Sequence, residues 1–237
     1  MTNDQKKVFD FVSERLDGQV LAFVSGPGGT GKYFLLHYLM MKMELSALIV
    51  EVLATAGNAA VLVGGQTIHS FFKIGIDLNC NLSYQTWHSI ASTQAIIIDE
   101  VSMMSGELLE KVDEICRQTA QGSLKMKPFG GKHVILFGDL LQVPAVVKEN
   151  TAHQIYESVI FENFKPFFLD QNCRQKNDVE FANMLNSIRV GAHDESDIKK
   201  LMSRVCGSGH NSEKCKDLLG LSVSMAICSK HVEARNK

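Results

Sequence analysis

Residues 25–32 read Ser25-Gly26-Pro27-Gly28-Gly29-Thr30-Gly31-Lys32. An apolar run of strand character, residues 20–24, precedes them, and residues 33–43, rich in Leu, Met and Phe at helical spacing, follow. The glycines therefore stand at a strand-to-helix turn, where they permit positive φ and close approach of the backbone. Successive N–H groups can curl around a phosphate there, while the helix N-terminus and the Lys32 ammonium face the same charge. This is the P-loop pattern Gly-x-x-x-x-Gly-Lys, and it makes Gly26, Gly28, Gly29, Thr30, Gly31 and Lys32 the expected phosphate cradle. The next position, where a Ser or Thr hydroxyl would bind Mg²⁺, is Tyr33. The competing reading is a Gly-rich turn with no ligand.

Outward from that turn, apolar strands recur at residues 47–53, 95–98 and 134–137, with helical patterns between them at residues 106–119 and before Ile90. Strands that are apolar throughout and alternate with helices predict a mostly parallel sheet covered on both faces. Ahead of the turn, Val8, Phe9, Val12 and Leu16 form a helical stripe ending at Gly18. Residues 155–161 read as helical and 167–169 as a fifth strand. Beyond them Asn177 and Glu180 have the spacing of a capping box, Phe181, Met184, Leu185 and Ile188 form one helix face, and Gly191 reads as its stop. A second amphipathic helix is expected to carry Ile198, Leu201, Met202 and Val205. Residues 206–216 read as a loop and 219–227 as a strand.

With 237 residues, 45% apolar and 21% charged, the chain has the composition of a globular protein with ample length for a buried core. A net charge of −2 provides no global basic footprint, so contact with nucleic acid would need a local groove. No apolar run approaches the roughly 20 residues that cross a bilayer, and the polar start Thr2-Asn3-Asp4-Gln5-Lys6-Lys7 is no signal peptide. The expectation is an intracellular protein without a membrane partner, its six cysteines free thiols. Cys206, His210, Cys215, Cys228 and His231 have the residue types of a zinc site but no Cys-x-x-Cys spacing.

Two further strands carry chemistry at their C-terminal ends, the edge where open α/β sheets bind ligands. The strand at residues 95–98 delivers Asp99 and Glu100; in a nucleotide site Asp99 would hold Mg²⁺ and Glu100 would orient and deprotonate the attacking water. The local alternative is a solvated Asp-Glu pair capping the next helix. The following strand ends Gly138-Asp139-Leu140-Leu141-Gln142, and the Gln142 amide could bond the γ-phosphate or that water. In isolation this last pattern is more often a turn.

The order of these motifs resembles the Pif-type superfamily 1 DNA helicases, kin of the RecD helicases. The resemblance is carried by Gln5, the P-loop, residues 54–60, Gly65-Gln66-Thr67-Ile68-His69-Ser70-Phe71-Phe72, Asp99-Glu100-Val101-Ser102-Met103, residues 138–142 with Pro144, and Asn172-Cys173-Arg174-Gln175 followed by Phe181, Leu185-Asn186 and Ile188-Arg189. It implies a RecA-like P-loop ATPase domain over residues 1–170 and the beginning of a second RecA-like domain over 171–237. By the same resemblance Gln5 would read the adenine edge, Lys32 would hold the β/γ-phosphates and Arg174 would reach the γ-phosphate from the second domain. Thr55, Thr67, His69 and Phe72 would line a single-stranded DNA track, small polar groups meeting phosphates and aromatic faces stacking bases. A structural His69, core phenylalanines and a surface Arg174 are the plainer readings of those residues.

The implied activity is ATP- and Mg²⁺-dependent unwinding of DNA bearing a single-stranded stretch or tail, 5′ to 3′, in the nucleus first and the mitochondrion second. The family's later motifs, among them the arginine that completes the ATP site, are absent because the sequence ends at Lys237, so a fragment or truncated form of such a helicase is expected. Losing a metal ligand at Tyr33 costs on the order of 5- to 150-fold, and losing an arginine finger roughly 10³ to 10⁵. The expectation is therefore weak ATP binding and slow hydrolysis. A remnant that binds nucleotide or DNA without unwinding is the principal alternative; an RNA helicase or a small-molecule kinase is another, the kinase being disfavoured by residues 67–72.

Overall fold

The computed structural model describes residues 1–145, 153–174 and 178–203. In chain order the elements are α1 (Asn3–Ser13), β1 (Leu21–Ser25), α2 (Lys32–Leu45), β2 (Val50–Ala54), α3 (Gly57–Leu62), β3 (Gln66–Thr67), α4 (Ile68–Phe72) and α5 (Tyr84–Ser92). There follow β4 (Ala95–Asp99), α6 (Gly106–Thr119), β5 (His133–Gly138), β6 (Lys165–Phe168), α7 (Val179–Arg189) and α8 (Glu195–Met202). The six strands form one sheet in the order β3-β2-β4-β5-β1-β6, and every pairing is parallel. The expected α/β class and parallel sheet are what the chain adopts.

Because side chains alternate across a strand, each apolar strand feeds two cores. Ile96 and Ile98 of β4, Val134 and Leu136 of β5 and Phe23 of β1 pack on one face with Leu109, Val112 and Ile115 of α6. Ala95 and Ile97, Ile135 and Phe137, and Ala22 and Val24 pack on the other with Val8 and Val12 of α1 and Leu35, Leu36 and Leu39 of α2. Each fully buried Val, Leu, Ile or Phe among them contributes about 1.5–3 kcal/mol, which is why the strands can be apolar end to end.

Three local expectations are corrected. Residues 155–161 form two separate 3₁₀ turns, Ile155–Glu157 and Phe161–Asn163, where one helix was expected. The short strand β3, too brief for a periodic signal, makes the strand at residues 165–168 the sixth. The N-cap of α7 is Asp178, whose side chain accepts from the Phe181 N–H, while Asn177 lies outside the described residues. In the sheet, β5 lies between β1 and β4, so the tip carrying Asp139 stands between the P-loop strand and the Asp-Glu strand.

Gly191 does end α7, at φ 72°. Val205, the loop at 206–216, the strand at 219–227 and all five residues of the zinc reading lie outside the described residues. Cys80, Cys116 and Cys173 are free thiols. The chain divides into two compact units, 1–190 and 191–237. The first thus runs past residue 170, the expected end of the first RecA-like domain, and includes α7.

Candidate functional site

At two positions of the turn after β1, Gly26 and Gly31, a side chain would collide. A Cβ on Gly26 would come within 2.7 Å of Thr30 Oγ1 and 2.9 Å of the Leu169 carbonyl. Gly31 caps α2 at φ 79°, and a Cβ there would strike the Gln5 amide. This cap provides no side-chain hydrogen bond, so the first-turn N–H groups of a 14-residue helix face the loop mouth, where they favour an anion. Lys32 Nζ donates to the carbonyls of Gly26 (2.7 Å) and Pro27 (3.2 Å), which holds the ammonium across the loop.

Gln5 braces this loop from behind. Its Nε2 donates to the Thr30 carbonyl at 3.0 Å, its Oε1 accepts from the Thr2 N–H at 2.9 Å, and the residue is 3% exposed. The Gln5 amide, expected to read an adenine edge, here bonds the N-terminus of α1 and the P-loop.

Three carboxylates stand at adjoining strand tips beside Lys32. Burial pushes the Lys32 pKa down, against the pull of Glu100, Asp139 and Asp99. Burial also raises Asp99, and it raises Glu100 together with repulsion from Asp99. Asp139 behaves in the opposite sense: burial works to raise it, but hydrogen bonds from Arg189, the Leu141 N–H and Gln142 outweigh that and hold it below the ordinary carboxylate range. Gln142 Nε2 lies 3.2 Å from Asp139 Oδ2, and the Gln142 N–H donates to the Asp139 carbonyl at 2.8 Å, so the expected phosphate-sensing amide is anchored at its own strand tip.

In front of the loop lies a cavity of about 840 Å³, lined among others by Gly26, Gly28, Asp139, Gln142, Arg174 and Arg189. That size suits a small-molecule ligand. Arg174 reaches it because the Cys173 and Arg174 N–H groups both bond the Gly29 carbonyl, at 2.7 and 3.2 Å. Lys32, Asp99 and Glu100 do not line this cavity; Lys32 meets it only through the Gly26 and Pro27 carbonyls. The roles of Asp139 and Arg189 were missed by sequence reasoning, since nothing in spacing pairs residues 50 apart. The available signals were an Asp placed directly after an apolar strand and the presence of both residues among the motifs that carry the resemblance.

The residues expected along a DNA track divide. Thr55 Oγ1 donates to the Glu100 carbonyl at 2.8 Å, Thr67 caps α4 by accepting from the Ser70 N–H at 3.1 Å, and His69 is half-buried. Phe72 is corrected: it is 0% exposed and packs edge-on against Phe71, itself 5% exposed, within the α6-side core, so neither ring has a face to offer a base.

For Mg²⁺ the donor set fits in part. Asp99, at the tip of β4, is a suitable carboxylate, but Tyr33 is 53% exposed, stacks edge-on with His37 at 4.3 Å between ring centroids, and brings no hydroxyl to the loop.

The family model described as PIF1-like helicase matches residues 1–199. The chain belongs to the PIF1-like helicase family. Curated relatives include the ATP-dependent DNA helicase PIF3 of Trypanosoma brucei brucei, 34% identical over 89% of this chain and 25% of the relative. The ATP-dependent DNA helicase PIF1 of Candida albicans is 33% identical over 81% of this chain and 23% of the relative. The chain thus spans about a quarter of the length of these relatives. Among solved structures, Pif1 helicase from Candida albicans matches with a TM-score of 0.75 and 26% identity, over 100% of this chain and 60% of that one. Pif1 from Bacteroides in complex with ADP-AlF3 and single-stranded DNA matches with 0.74 and 27%, over 94% and 58%.

Proposed function

We propose that the chain supplies the first RecA-like ATPase domain, and the start of the second from residue 171, of an ATP-dependent DNA helicase that moves along single-stranded DNA. The observation that carries this reading is the cavity that joins the P-loop glycines to Arg174 and Gln142. Lys32 and the first turn of α2 would hold the phosphates, Gln142 and Arg174 would face the terminal one, and Glu100 would take the proton of the attacking water. Mg²⁺, held by Asp99 and phosphate oxygens, would supply charge neutralisation at the β- and γ-phosphates. Closing the cavity on ATP and opening it after hydrolysis would move the two walls relative to each other, and so step the protein along a strand lying over Thr55, Thr67 and His69.

The match to Bacteroides Pif1, whose solved complex contains both ADP-AlF3 and single-stranded DNA, supports ATP and single-stranded DNA as the ligands, and the family resemblance supports 5′-to-3′ movement. It also supports an intracellular site of action, in nucleus or mitochondrion. No helix among the described residues is long and apolar enough to cross a membrane.

Titration of the purified chain with a fluorescent ATP analogue tests the assignment. Lys32→Ala is expected to abolish binding, whereas Glu100→Gln is expected to keep binding and lose turnover. Undiminished binding by the Lys32→Ala variant would overturn the nucleotide reading. One observation favours a second reading, a protein that binds nucleotide without unwinding: the outward-turned Tyr33 at the metal-ligand position. That reading predicts nucleotide affinity indifferent to Mg²⁺ and no strand separation.

A further inference from the structure

Arg189, in the last turn of α7, places Nε 2.7 Å from Asp139 Oδ2 and Nη2 2.6 Å from Oδ1, a two-pronged fork on one carboxylate. The Asp139 side chain is 1% exposed and that of Arg189 23%, so this is an inside pair rather than a surface one. The same carboxylate also accepts from the Leu141 N–H and from Gln142 Nε2, so its oxygens have four donors. The nucleotide reading assigns Arg189 no role.

We propose that Arg189 is a positioning residue for the nucleotide site, holding α7 against the tip of β5 and neutralising Asp139 at the cavity wall. The inference rests on the ATP reading and deepens it. Asp99, Glu100 and Asp139 supply three negative charges around Lys32, and Arg189 is the second cation of that group. With Arg189 the cluster carries a net single negative charge; without it, a double one. Asp170 also acts on Arg189 and adds to the negative side. A polyanionic triphosphate entering between Gly26 and Arg174 would meet Asp139 at the cavity wall, with the rest of that surplus behind it. An uncompensated inside carboxylate is the costly outcome when one partner of such a pair is removed, whereas removing both is mild. Only the planar guanidinium can occupy both Asp139 oxygens at once, so lysine is no substitute. The fork also fixes the direction in which Gln142 can point, because Gln142 shares Oδ2 with Arg189 Nε.

The test is binding of a fluorescent ATP analogue to the 237-residue chain and its Arg189→Gln, Arg189→Lys, Asp139→Asn and Asp139→Asn/Arg189→Gln variants, with hydrogen exchange of α7 measured without nucleotide. Arg189→Gln is expected to weaken binding on the order of 10- to 100-fold, and the double variant to return to within about threefold of the parent. Arg189→Lys should fall between the parent and Arg189→Gln. Asp139→Asn should bind at least as well as the parent, since it frees a cation beside the cavity. In both single neutral variants the α7 amides should exchange faster.

Unchanged binding in Arg189→Gln would overturn the proposal. So would a double variant as weak as Arg189→Gln, since Arg189 would then act on the nucleotide by its own contact. If the parent chain binds no nucleotide, the ATP reading fails, and exchange alone decides whether Asp139 and Arg189 brace α7: faster α7 exchange in both single variants upholds the brace, and unaltered exchange removes it.

Discussion

Thr55 Oγ1 donates a 2.8 Å hydrogen bond to the backbone carbonyl of Glu100. The bond ties the tip of β2, where the proposed DNA track begins, to the residue proposed to deprotonate water. Glu100 adopts φ 55°, ψ 42°, a left-handed conformation that costs a non-glycine residue about 1–2 kcal/mol, so its backbone needs such a restraint. Thr55→Val is expected to lower ATP turnover about fivefold to tenfold with KM for ATP within roughly twofold, the effect of one hydrogen bond felt at the reacting group. Thr55→Ser should restore turnover. A rise in KM of the same size, with unaltered kcat, would show that the bond serves binding instead.

Tyr33 stands where a hydroxyl ligand to Mg²⁺ is expected, yet it is 53% exposed and packs against His37. Tyr33→Thr should raise affinity for Mg²⁺-ATP by roughly 5- to 150-fold, the weight of one polar ligand. The gain should vanish in EDTA. Equal gains with and without the metal would mean that the tyrosine hinders nucleotide by its bulk.

Phe72 is a core residue in this fold, and its removal should be read in stability. Phe72→Ala is expected to cost about 3–5 kcal/mol and roughly 6–20 °C in Tm. Well below that Tm its affinity for single-stranded DNA should stay within about twofold, while His69→Ala, at a half-buried position beside the track, should lose several-fold. A selective loss of DNA affinity in Phe72→Ala at unchanged Tm would restore the stacking role.

Acid should release the Asp139–Arg189 pair. Burial alone would raise the Asp139 pKa, but Arg189 and the neighbouring donors depress it below its ordinary 3.8. A folded-state pKa below the unfolded one means that the pair's stability is fully present above about pH 4 and is lost as pH falls through the lower folded value. The Tm difference between the parent and Asp139→Asn should thus be constant from neutral pH down to about pH 4 and shrink below it. A difference that already shrinks between pH 7 and pH 5 would contradict the assignment of Asp139 as the depressed group.

Much of this protein was legible in its sequence because the relevant physics is local. A glycine-rich turn between an apolar strand and a helix can hardly be anything but a strand-to-helix loop, and Gly26 and Gly31 are indeed sites where a Cβ would collide. The run Ile96-Ile97-Ile98 announces a strand covered on both faces, and both faces are covered. Asp99 ends its strand and Glu100 and Asp139 directly follow theirs, so their gathering at one sheet edge follows once the strands are parallel.

What required tertiary structure concerns which face a side chain takes and which distant group it meets. Phe71 and Phe72 read alike for stacking and for packing, and only the position of α4 over the sheet puts both inside. Gln5 lies far from Thr30 in the chain but bonds its carbonyl, because α1 packs behind the P-loop. Arg189 and Asp139 meet because α7 ends beside the tip of β5. Periodicity along a chain determines where elements form and which side is apolar; it carries no information on partners brought together by packing, and there the folded arrangement alone decided.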